Sequence, residues 1–117
     1  MDAPIYSLSL NFAVRIVRLC QYLTEEKRAY ILSKQLMRSG TSIGANLREA
    51  KFAQSKKDFT AKCTIALKEA GETQYWLELL HQTELLSEKE YQSISADCNE
   101  LVAILVSTVK SSKSKPE

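Results

Sequence analysis

The sequence predicts an all-α fold, an antiparallel up-down four-helix bundle, and three observations carry that expectation. The interior holds nothing that breaks a helix except Gly40, Gly44 and Gly71, because the two prolines, Pro4 and Pro116, sit near the ends. Apolar residues recur at steps of three and four through four long stretches. The polar segments between those stretches are short, which makes each helix the neighbour of the next. At 117 residues the chain has the length of one domain, 1–117, and can bury a core without disulfides or metal.

The first helix is placed at about 7–23, where Phe12, Ile16, Leu19, Cys20 and Leu23 share one face. Thr24-Glu25-Glu26-Lys27 is the turn that follows. A second helix at 28–53 aligns Leu32, Leu36, Ser39, Ile43, Leu47 and Ala50, and this register crosses Gly40 and Gly44 unchanged. Glycine inside a helix costs about 1 kcal/mol relative to alanine, so these two imply a close approach by another backbone.

The third helix is expected at 56–84, opened by Ser55 as N-cap with Asp58 in the positive first turn. Phe59, Cys63, Ala66, Ala70, Thr73, Leu77 and Leu80 form a heptad seam, the pattern of a left-handed bundle. Ile65, Glu72, Trp76 and Leu79 lie on a second face of the same helix. A bundle helix that is apolar on two sides requires a cover for the second, so these four are the candidate oligomer interface. Ser87-Glu88-Lys89-Glu90 reads as a capping box for a fourth helix at 88–110, which carries Tyr91, Ile94, Cys98, Leu101, Leu105 and Thr108. Residues 111–117 read as a disordered, basic, Ser-rich tail.

Charge is segregated along the chain. Residues 27–68 hold ten basic side chains against two acidic ones, a local charge of +8, whereas 69–100 hold eight acidic against Lys89 alone, a charge of −7. The overall +2 conceals this polarity. Such a chain can present a basic face to a polyanion, or set its basic half against the acidic half of a neighbour. On the second helix Lys34, Arg38 and Arg48 lie opposite the apolar stripe, and Lys51, Lys56 and Lys57 carry the positive potential around the turn. These six are the candidate phosphate contacts. Phe52 and Phe59, in the same region, read equally as core or as stacking platforms.

Catalytic readings find little support. Glu78-Leu79-Leu80-His81 has the Glu-x-x-His spacing of di-iron carboxylate helices, but His81 is the single histidine and no second pair exists. Gly40-Thr41-Ser42-Ile43-Gly44 lacks the Gly-Lys-Ser/Thr ending of a phosphate loop. Cys20, Cys63 and Cys98 fall on apolar stripes, as inert buried thiols do in a reducing compartment. No metal, cofactor or enzymatic activity is expected. Arg38, Asn46, Glu49, Glu69 and Glu72 are instead expected to form a structural polar network that sets register. The beginning of the chain lacks the features of a signal peptide and no run approaches the roughly 20 apolar residues that span a bilayer, so a cytoplasmic location without membrane contact is expected.

The segment Arg38-Ser39-Gly40-Thr41-Ser42-Ile43-Gly44-Ala45-Asn46-Leu47-Arg48-Glu49-Ala50, followed by Asp58-Phe59, Ile65 to Ala70, Glu72-Thr73 and Trp76-Leu77, resembles the four-helix-bundle proteins encoded in intervening sequences of bacterial 23S ribosomal RNA genes. The likeness covers nearly the whole chain. In fold it is also similar to the accessory variability proteins of diversity-generating retroelements. The resemblance implies a pentameric ring with a basic surface, no enzymatic activity, and partners among structured RNA, DNA or a reverse transcriptase. Two functions therefore compete: an oligomer that binds nucleic acid through its basic face, and a ring-forming protein scaffold whose basic and acidic halves join without nucleic acid.

Overall fold

The computed structural model describes residues 3–114 and shows four α-helices: α1 Ala3–Glu25, α2 Tyr30–Lys51, α3 Lys56–Gln82 and α4 Glu88–Ser114. The class is all-α, with no strand among the described residues. α1 packs against α2 and α4, α3 packs against the same two, and the molecule measures 49 × 21 × 20 Å. These contacts fit a bundle whose core runs the length of the long axis.

Each helix end has a local cause. α1 starts at Ala3 rather than near Ser7, because Pro4 in the first turn lacks an N–H that would have no helical partner there, and Ile5, 1% exposed, anchors that turn in the core. Arg28 then takes a left-handed φ of 53°, which no right-handed helix accommodates, so α2 begins at Tyr30 rather than at 28. The Ala29 amide closes the turn on the Leu23 carbonyl at 2.9 Å. α2 ends at Lys51, short of 53, because the Phe52 and Ala53 amides donate three residues back, to Glu49 and Ala50, at 3.1 Å each.

α3 opens as its sequence indicates, with Ser55 Oγ accepting from the Asp58 amide at 3.0 Å. It stops at Gln82 instead of 84 through a Schellman motif. Glu84 adopts φ 62°, the Leu85 amide donates to Leu80 O at 2.9 Å, and the Glu84 amide donates to His81 O at 3.1 Å. Ser87 Oγ accepts from the Glu90 amide at 3.2 Å to open α4. That helix continues to Ser114, four residues beyond 110, so residues 111–114 of the expected disordered tail are helical; 115–117 lie outside the described residues. A hydroxyl pair between Thr60 and Ser112 ties this last turn to the start of α3.

The apolar stripes meet as their spacing implies. Phe12, Ile16 and Leu23 of α1, Leu36, Ile43 and Leu47 of α2, Cys63, Ala66, Ala70 and Leu77 of α3, and Cys98, Leu101 and Leu105 of α4 are all buried. Side by side stand Ser9 and Gly44, Ile16 and Gly40, Cys20 and Ser33. α2 meets α3 through Ser39 and Thr73, whose hydroxyls bond at 3.0 Å. The close approach at Gly44 is to a backbone, since a Cβ there would lie 3.4 Å from Ser9 O; at Gly40 it is to the Ile16 side chain, 2.8 Å away. No helix is long and apolar enough to cross a membrane among the described residues.

Candidate functional site

The second face of α3 is closed toward α2 by a polar clasp. Arg38 Nη1 lies 3.2 Å from Glu69 Oε2, and Arg38 Nη2 bonds Glu72 Oε2. The same Glu72 oxygen accepts the Trp76 indole N–H at 2.8 Å. One guanidinium thus serves two carboxylates, and one carboxylate orients the tryptophan. Of the network expected from sequence, Arg38, Glu69 and Glu72 come together, while Asn46 and Glu49 do not. Asn46 Nδ2 donates within its own helix to Ser42 O at 2.8 Å, and Glu49 pairs with Lys62 of α3 at 2.9 Å. Glu49's hydrogen bond and then its charge hold the Lys62 ammonium above its ordinary value. The Glu49–Lys62 pair spans two helices, so no local spacing advertised it.

Beyond the clasp, the face expected to seek a partner is open. Trp76 and Leu79 are half-buried, Ile65 is 41% exposed, and Tyr75, packed edge-on to Trp76, is exposed too. A Cβ on Gly71 would meet nothing within 4 Å.

The six candidate phosphate contacts are divided by the fold. Lys34 is exposed toward the start of α2, about 25 Å along the helix from Lys51 at a rise of roughly 1.5 Å per residue. Arg38 faces two carboxylates, a cluster of net charge −1 that offers a phosphate little attraction. The other four gather at one end of the bundle: Arg48 and Lys51 from α2, Lys56 and Lys57 from α3. Lys51 Nζ lies 5.3 Å from the Tyr6 ring centroid. A surface depression lined by Lys56, Lys57, Thr60 and Lys113 brings the last turn of α4 to the same place. Lys113 was thus missed from sequence, where it belonged to the tail. At the opposite end, the turn between α3 and α4 exposes Glu84, Glu88 and Glu90. Lys27, Arg28 and Lys34 lie at this end too, so the charge split along the sequence becomes a partial polarity along the long axis.

The remaining motifs resolve into structure. Thr41 and Ser42 lie within α2, and their hydroxyls donate back to Met37 O and Arg38 O at 2.7 and 2.6 Å, so the glycine-flanked segment is helix and not a phosphate loop. His81 Nε2 stands 2.6 Å from Glu88 Oε2, with its ring stacked on Tyr91 at 4.2 Å; its partner is Glu88 of α4 rather than Glu78. No group of three or more His, Cys, Asp or Glu among the described residues could hold a metal ion. The three thiols are free and buried, and burial pushes all three up, Cys98 to about 12 with the Asp97 charge adding to the effect. A buried thiol held protonated is a poor nucleophile.

Fold and surface together define a small charged helical bundle with one basic end and one open apolar face. The chain belongs to the 23S rRNA-intervening sequence protein family, whose profile matches residues 1–107. It is similar to a protein of unknown function of the S23 ribosomal protein family from Bacteroides thetaiotaomicron VPI-5482, known from a crystal structure. The two share 53% sequence identity over 91% of this chain and 98% of that one, with a TM-score of 0.89. No curated protein sequence matches the chain.

Proposed function

We propose that this protein is a non-catalytic, antiparallel up-down bundle that assembles with copies of itself into a ring and binds RNA or another nucleic acid through its basic end. The descending order of the pairs Ser9–Gly44, Ile16–Gly40 and Cys20–Ser33 supports the antiparallel arrangement. The observation that carries the nucleic-acid reading is the gathering of Arg48, Lys51, Lys56, Lys57 and Lys113 from three helices at one end, away from Glu84, Glu88 and Glu90. Membership of a family named for an intervening sequence of 23S rRNA is consistent with an RNA partner. A ring repeats the basic end, so weak phosphate contacts multiply through avidity. The pentamer rests on the family resemblance.

Binding of a structured RNA measured across a salt series tests this reading. Affinity should fall steeply with added salt, and Arg48→Glu with Lys57→Glu should weaken it at least tenfold while flattening the salt slope. Affinity indifferent to both salt and charge reversal would overturn it and favour the second reading, a scaffold whose basic and acidic ends join neighbouring protein subunits. The end-to-end charge polarity is what keeps that second reading in play.

A further inference from the structure

The turn between α2 and α3 presents an aromatic ring to solvent in the middle of the basic end. Phe52, the C-cap of α2, is 74% exposed, whereas Phe59, seven residues on, packs against the core. Phe52 contributes to an open depression of about 500 Å³ together with Arg48, Glu49, Gln54, Asp58 and Lys62. Residues 48–62 carry five basic side chains against two acidic ones. Both acids are engaged within the turn, Glu49 by Lys62 at 2.9 Å and Asp58 by the Gln54 amide at 3.3 Å. Arg48, one helical turn before Phe52, is exposed, and its side chain takes part in no ion pair or hydrogen bond among the described residues.

We infer that Phe52 is a stacking platform for an unpaired nucleobase, with Arg48 beside it for the adjoining phosphate. Exposed apolar surface alone would suit a protein contact equally well. The cationic surround decides between them, because it favours a ligand that joins a flat π-face to negative charge, and an unpaired nucleotide has both. A base inside a duplex has its faces covered by its neighbours, so the ring selects single strands, loops or bulges. This inference rests on the basic-end reading and specifies which form of nucleic acid that end takes.

The test uses the full-length protein and fluorescence anisotropy with 12-nucleotide oligo(rU), 12-nucleotide oligo(dU) and a 12-base-pair RNA duplex. Phe52→Ala should weaken binding of both single strands by about 5- to 150-fold, the range for loss of one base–aromatic stack. Phe52→Trp should retain it, and duplex affinity should change less than about twofold. Loss confined to oligo(rU) would assign the effect to the ribose hydroxyl and overturn the platform. Unchanged single-strand affinity in Phe52→Ala would also overturn it, while salt-dependent binding of all three probes left the basic end standing. If Phe52→Ala instead lowers the mass in light scattering and weakens every probe alike, Phe52 is a contact between copies of the chain and the platform is wrong. Wild-type protein that binds none of the probes would remove both readings.

Discussion

Cys98 shows how burial alone determines what a residue can do. Its Sγ lies 3.5 Å from Ala70 O inside the core, and the thiol is held protonated up to about 12. Below pH 9 folded and unfolded chains both keep this proton. Between 9 and 12 the unfolded chain releases it and the folded chain does not, so stability falls as pH rises, on the order of 1.4 kcal/mol per pH unit. Urea unfolding at pH 8, 9.5 and 10.5 should show the decline, and Cys98→Ala should have a shallower slope than wild type. The residual slope belongs to Cys20, Cys63, Tyr6 and Lys62, which are shifted in the same direction. That the three cysteines are core thiols was legible from their places on apolar stripes. The grouping of Arg38 with Glu69 and Glu72 was legible too, across 31 and 34 residues; that both carboxylates converge on its one guanidinium, and so take it out of the phosphate contacts, was not.

Packing between helices accounts for Gly40 and Gly44 but not for Gly71. An alanine at Gly40 would press on Ile16, a β-branched side chain fully buried in α1, whereas one at Gly71 would stand in open space. Gly71→Ala should therefore stabilise by about 1 kcal/mol, the helix-propensity gain. Gly40→Ala gains the same propensity but overpacks the α1/α2 contact, with an expected net loss of about 1–2 kcal/mol. Chemical denaturation of the two variants beside wild type checks both signs. The unbroken register across Gly40 and Gly44 made continuity of α2 readable, and the caps at Ser55 and Ser87 fixed the starts of α3 and α4, while the other six helix ends shifted by two to four residues. Periodicity reports which face is apolar; it is silent on the left-handed turns at Arg28 and Glu84 and on the tie between Thr60 and Ser112.

At the scale of the whole molecule, the open face of α3 is the surface on which the proposed assembly depends. Ile65, Tyr75, Trp76 and Leu79 remain wholly or partly accessible after α2 and α4 have packed on the seam. The expected solution species is a multiple of the 13.2 kDa chain, a pentamer on the family resemblance. Ile65→Glu combined with Leu79→Glu places charge where apolar contact is expected and should reduce the light-scattering mass to that of one chain, with helical circular dichroism retained. Wild-type protein at micromolar concentration that already has the single-chain mass would refute the ring.

Sequence by itself determined the helical class, the stripes that became the core, the two-sided character of α3 and the segregation of charge, because each depends on residue type and on spacing within one helix. Tertiary structure decided which charges remain available. It set Arg38 between two carboxylates, carried Lys34 away from its companions, brought Lys113 to Lys56 and Lys57, and left Phe52 bare while covering Phe59. The physical reason is that a charge acts through space, and the neighbour that cancels or reinforces it comes from another helix, at a separation along the chain that no local pattern records.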